Sequence, residues 1–113
     1  MSLTGVMSAA VSGLRAESLR VNVSANNIAN VNTEGFKPQD VASQTLATQQ
    51  VSNNSYSSGG VLATVSPTSI EDQGTDLSFE FTKLIQAESS YRHNIETLKT
   101  ADDMLKELVN IKA

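Results

Sequence analysis

The stretch LSFEFTKLIQAESSYRHNIETLKTADDMLKELVNIK, Leu77 to Lys112, decides the fold. Read in alternating steps of four and three it runs Leu77, Phe81, Leu84, Glu88, Tyr91, Ile95, Leu98, Asp102, Leu105 and Val109, and eight of those ten positions are apolar or aromatic. Two apolar positions per seven residues, sustained over more than four repeats, predict a coiled-coil seam. At ~1.5 Å per residue such a helix is roughly 50 Å long, longer than a compact domain of this size needs. One dry stripe on so long a helix calls for another helix beside it. Glu88 and Asp102 break the stripe. Buried without partners they would be costly, and polar seam residues set register or partner choice.

Leu3 to Val31 reads as a second helix. Met7, Leu14, Val21 and Ile28 recur every seven residues, with Ala10, Val11 and Ala25 at partner positions. Ser8, Ala9, Ala10, Ser12, Gly13 and Ala16 form a run of little bulk that lets another backbone approach. Gly13 costs about 1 kcal/mol of helix propensity relative to alanine, so this helix is expected to be stable only when packed. The expected fold is mainly α, two long terminal helices pairing as an antiparallel hairpin or coiled coil. Leu14, Val21 and Ile28 would dock on the Leu77–Val109 seam.

Composition points the same way. The chain has 113 residues, two tyrosines, three phenylalanines, no tryptophan and no cysteine. Small chains with thin cores rely on disulfides, metals or association. Without cysteine there is no disulfide, and with one histidine, His93, no zinc site is expected. Association remains. The net charge of −4 argues against a nucleic-acid partner. Arg15, Arg20 and Lys37 balance Glu17, Glu34 and Asp40, so the excess lies beyond residue 70. No run of ~20 apolar residues is present to span a membrane. The N-terminus lacks the basic start and apolar run of a cleaved secretory signal.

Three segments follow: 1–37, a helix with an asparagine-rich end; 38–75, a polar middle; and 76–113, the long helix. Asn22, Asn26 and Asn30 lie four residues apart on one face, close to Asn27 and Asn32. Asparagine is a poor helix former. The stripe is either a fraying end with a C-cap or a set of amides bonding a neighbouring chain. Gly35 suits a left-handed turn, Phe36 is an apolar anchor, and Pro38 pushes Lys37 into an extended conformation. In the middle segment Gly59-Gly60 reads as a turn and Val61 to Val65 as a short strand, enough for a small β-hairpin. Thr75 or Asp76 is the expected cap of the long helix. Glu88 with Arg92 and Asp102 with Lys106 are solvated pairs worth ~0.3–0.5 kcal/mol each.

Catalytic chemistry is missing. His93 reads as a surface histidine. Glu71-Asp72 and Asp102-Asp103 are adjacent acids that point apart, and there is no glycine-rich phosphate loop. No catalytic residue, cofactor or metal is expected.

The residues carry a resemblance. Ser12-Gly13-Leu14-Arg15-Ala16, followed by Asn22-Val23-Ser24-Ala25-Asn26-Asn27-Ile28-Ala29-Asn30-Val31-Asn32-Thr33-Glu34-Gly35-Phe36-Lys37, closely resembles the N-terminal signature of bacterial flagellar axial proteins, the rod, hook and hook-associated subunits. Glu80-Phe81, Leu84-Ile85-Gln86-Ala87-Glu88, Tyr91, Asn94 and Lys99-Thr100-Ala101-Asp102-Asp103-Met104-Leu105 look like the family's C-terminal signature. The two stretches stand toward the two ends of the chain, in the expected order. The short middle looks most like a proximal basal-body rod protein, although residues 39 to 75 are shorter than is usual there. Glu88 stands where the family often has glutamine, and Phe36 where tyrosine is common.

The resemblance implies a structural subunit exported uncleaved through the flagellar type III apparatus. It would assemble with itself and with other rod subunits into the periplasm-spanning tube that transmits torque. Its assembly interface would comprise the ten seam positions together with Leu14, Val21, Asn22, Asn26, Asn27, Ile28, Asn30 and Gly35. The alternative is a soluble helical-hairpin adaptor or an export-associated binding protein.

Overall fold

A computed structural model describes residues 3–46, 49–51, 55–57, 59–68 and 76–112. Helix α1 spans Leu3–Ala29 and helix α2 spans Leu77–Lys112. Four strands lie between them: β1 (Gln39–Leu46), β2 (Gln49–Val51), β3 (Ser55–Ser57) and β4 (Gly60–Pro67). β1 pairs antiparallel with β4, from Gln39 opposite Pro67 to Leu46 opposite Gly60, and β2 pairs antiparallel with β3. The two ladders are nested in sequence as one long β-hairpin between two helices. The protein is mainly helical, as the two periodic stretches predict.

Helix ends follow local chemistry. Asp76 caps α2: its Oδ1 accepts the amides of Ser78 at 3.0 Å and Phe79 at 3.3 Å, donors that the first helical turn leaves unpaired. Glu80 in that turn suits the positive end of the helix dipole. The other expected cap, Thr75, and the acids Glu71 and Asp72 lie outside the described residues. α1 ends two residues before Val31, and Val31 instead donates to Ile28 O at 3.2 Å in a tighter turn. Phe36 N–H then bonds to Thr33 O with Gly35 at φ 75°, a turn whose third position favours glycine.

The Gly59-Gly60 reading needs correction. Gly60 begins β4 opposite Leu46, so the reversal of the hairpin lies between β2 and β3. Gly60 meets a packing need there. A Cβ on it would sit 2.6 Å from Ser12 Oγ, so its lack of a side chain lets β4 close onto α1. Val61 N–H donates to the same Ser12 Oγ at 3.0 Å. The base of the hairpin is tied by Thr68, whose N–H and Oγ1 both donate to Pro38 O.

The molecule measures 62 × 33 × 14 Å, and it has little interior. Among the described residues the buried apolar side chains are Ala10, Ala16, Val23, Ala87 and Ala101. No leucine, isoleucine or phenylalanine is among them. A folded monomer of 12.0 kDa exposes roughly 6,000 Å²; this one exposes 8340 Å².

Candidate assembly surface

The two helices meet along small and polar residues. Asn27 stands opposite Glu80 and Gly13 opposite Asn94, two heptads apart on each helix. On α2 the contact line is Glu80, Ala87, Asn94 and Ala101, spaced by seven; Glu80, Ala87 and Ala101 are buried and Asn94 half-buried. On α1 it is Ala10, Gly13, Glu17, Ser24 and Asn27, all buried. A Cβ at Gly13 would lie 2.7 Å from Asn94 Nδ2, so the asparagine amide occupies space that only glycine leaves. The run from Ser8 to Ala16 is thus where α2 comes closest.

Asn27 is fully buried and joins three elements. Its Nδ2 donates to Gln39 O at 2.7 Å and to Glu80 Oε1 at 3.1 Å, while its Oδ1 accepts from Gln39 N–H at 3.0 Å. The side-chain amide therefore pairs with Gln39 as a neighbouring strand would, and holds the start of the hairpin against both helices. Lys83 adds a second tie: its Nζ lies 3.0 Å from Asp40 Oδ1, 3.8 Å from Glu80 Oε1 and 4.5 Å above the Phe79 ring. Burial pushes the Asp40 carboxyl up. Hydrogen bonds from Lys83 and the Val41 amide, with the charges of Lys83 and Arg20, outweigh it and hold the group below its usual range. Arg20 bonds Glu17 at 3.0 Å and also reaches Ser43. Glu17 Oε2 and Glu80 Oε2 are buried and have no partner among the described residues.

The expected seam positions fall beside this contact line as follows. Leu84 and Leu98 are half-buried against α1. Tyr91 and Leu105, at 40% and 36% exposed, lie at its edge. Leu77, Phe81, Glu88, Ile95, Asp102 and Val109 are exposed. Phe81, Glu88, Ile95 and Asp102 each follow a contact residue by one position, a rotation of ~100° about the helix. Leu14 and Ile28 follow Gly13 and Asn27 in the same way and are half-buried; Val21 is exposed. In an antiparallel pair, a one-residue step past the contact line turns both helices toward the same side. The large apolar residues therefore form a face beside the helix contact, and do not interlock as its core. The physical reason is the Gly13–Asn94 approach, which brings small residues together and leaves no room for leucines between them.

The hairpin occupies the opposite side. Ser12, one residue before Gly13, bonds β4. Gln86 lines a groove of about 330 Å³ with Asp40 and Val41. His93 lines a cavity of about 410 Å³ with Ser43, Thr45 and Val61. On the other face Phe81, Ile95 and Val21 are exposed and Leu14 is half-buried.

The asparagine stripe divides. Asn22 and Asn26 are exposed, Asn30 is half-buried, and Gly35 is exposed in its turn. Asn30 Nδ2 bonds Asn26 O and Oδ1, and Asn30 Oδ1 accepts from Thr33, a local cap at the end of α1. Asn27, off the stripe, carries the long-range bonds. Glu88 pairs with Arg92 at 2.7 Å and Asp102 with Lys106 at 2.6 Å on the surface. Sequence reading missed Glu80, Ala87, Asn94 and Ala101 as contact residues. Their seven-residue spacing opposite the equally spaced Ala10, Glu17 and Ser24 is the signal that could have found them.

Among the described residues no group of three or more His, Cys, Asp or Glu could hold a metal ion, and no helix is long and apolar enough to cross a membrane. Residues 7–37, α1 and its terminal turn, match the family model of the flagella basal body rod protein, and residues 67–111, nearly all α2, match that of the flagellar basal body rod FlgEFG protein C-terminal region. This chain belongs to the bacterial flagellar axial proteins, the rod and hook family. Flagellar axial relatives include the hook protein FlgE of Caulobacter vibrioides, 48% identical over 63 residues, which is 56% of this chain and 11% of that protein. The hook protein FlgE of Rhizobium meliloti is 43% identical over 74 residues, 66% of this chain and 18% of that one. That of Brucella abortus is 39% identical over 74 residues, again 66% and 18%. The matches thus span less than a fifth of the length of these axial relatives. The family models carry the name of the rod and the relatives that of the hook. Most of the hairpin, residues 39–66, lies between the two family matches.

Proposed function

We propose that this axial protein is a structural subunit of the flagellar basal-body rod, assembling with itself and other rod subunits through its terminal helices. It is no enzyme in this reading. It leaves the cell uncleaved through the flagellar type III apparatus and transmits torque across the periplasm as part of the tube. The observation that carries the reading is the open apolar face: Phe81, Tyr91 and Ile95 on α2 stand exposed beside Val21 on α1, in a chain with roughly 2,000 Å² more exposed surface than a monomer of its size. Patches of this kind mark interaction sites. In this reading the exposed side chains of Asn22 and Asn26, and the turn at Gly35, contact a neighbouring subunit.

Burying a leucine contributes ~1.5–3 kcal/mol, so Leu105→Asp is expected to remove the protein from purified hook–basal bodies and abolish swimming. Leu98→Asp should do the same, with loss of the helix contact as well. Normal swimming in both variants overturns the reading. A wild-type chain that stays soluble and never co-purifies with hook–basal bodies supports the adaptor instead.

A further inference from the structure

We propose that the β-hairpin is a conditional strap: its base stays docked on α1 only while α2 is paired with α1. A closed ring of polar contacts across the three elements makes the connection. Asn27 on α1 donates to Glu80 Oε1 on α2 at 3.1 Å. The same oxygen lies 3.8 Å from Lys83 Nζ, one turn further along α2. Lys83 Nζ donates to Asp40 Oδ1 on the hairpin at 3.0 Å. Asp40 follows Gln39, and Gln39 closes the ring by bonding Asn27 through both its carbonyl and its N–H.

The condition lies in the Asn27 amide. Its Oδ1 faces the Gln39 N–H and its Nδ2 the Gln39 carbonyl. Turned over, it would set donor against donor and oxygen against oxygen. Glu80 selects the bonding orientation, because a carboxylate accepts and does not donate. Asn27 is fully buried and the Glu80 side chain 5% exposed, so losing either partner strands the other away from water. Among the described residues Lys83 to Asp40 is the hydrogen bond between α2 and the hairpin. The far end of the β1–β4 ladder is held differently. Ser12 Oγ accepts the Val61 N–H at 3.0 Å and Arg20 reaches Ser43, both from α1. Helix pairing therefore controls the base of the hairpin and leaves its far end to α1 alone. A contact that draws α2 away frees the base, and one that presses the helices together fixes it.

Amide hydrogen exchange on the full chain, read residue by residue by NMR, tests the strap. Glu80→Ala removes no atom that bonds Gln39, yet it is expected to speed exchange of the Gln39 amide about tenfold and to leave the Val61 amide unchanged. In an Asn27→Ala background the same substitution should add nothing at Gln39, because the two residues act through one connection. Unchanged Gln39 exchange in Glu80→Ala overturns the proposal, and so do additive effects in the double variant. Equal acceleration at Gln39 and Val61 overturns it too, since the hairpin then answers as one piece. Should Glu80→Ala not fold, Lys83→Met decides: it opens the ring without touching Asn27 and must still speed the Gln39 amide, and no change there overturns the strap.

Discussion

The two sides of one helix pair differ sharply. Where α1 touches α2 the residues are alanine, glycine, serine, asparagine and glutamate, held by close approach and by the hydrogen bonds of Asn27. One step around each helix stand leucine, valine, isoleucine and phenylalanine, half-buried or exposed. In an isolated globular domain the arrangement would be reversed, because large apolar side chains gain most from burial. The difference teaches that shape is set by small residues and polar bonds, while the large apolar side chains are left beside the helix contact.

Substitutions can break that contrast. The largest effect on stability is expected at Asn27. Asn27→Leu removes three hydrogen bonds and strands the Gln39 backbone and the Glu80 carboxylate, a loss of about 3 kcal/mol. Thermal unfolding followed by helical circular dichroism checks it. Gly13→Leu should cost about 2 kcal/mol by overpacking against Asn94. Adding Asn94→Ala should restore part of the loss, and no restoration would mean that the clash lies elsewhere. Asp76→Ala should cost about 1 kcal/mol through loss of the α2 cap, read in the same melts. Phe81→Ser and Ile95→Ser, on the open face, should shift stability by no more than about 0.5 kcal/mol yet abolish assembly. If they unfold the monomer, the two faces are not separate in function.

The smallest expected effect is that of acid on Asp40. Its folded pKa lies below the ordinary 3.8, so its tie to Lys83 is intact above that pH. The tie is lost as pH falls further, through the folded value. A carboxyl titration of Asp40 by NMR should show the depressed midpoint, and Lys83→Met should return it toward 3.8.

Much of this was legible in the sequence. The limits of α2 follow from its apolar spacing and from Asp76, because capping and periodicity are local properties. The turn at Gly35 is legible for the same reason. The contact line was not. A seven-residue repeat of large apolar residues fixes which face is dry, but which edge of that face meets its own partner depends on how closely two backbones approach. Gly13 and Asn94 set that distance, and neither stands out in a hydrophobic pattern. Gly60 misled in the same way: glycine pairs usually mark turns, while here the missing side chain makes room for Ser12.

By itself the sequence determined two long amphipathic helices, a polar segment between them and an axial-protein signature at each end, because these rest on spacing and residue type. Only the tertiary structure decided that Leu77 to Lys112 touches α1 through Ala87, Asn94 and Ala101, and presents Phe81 and Ile95 outward. The two edges of the stripe differ by about 100° of helix rotation. That angle is fixed by the side chains of the facing helix, so it is decided only when the two helices pack.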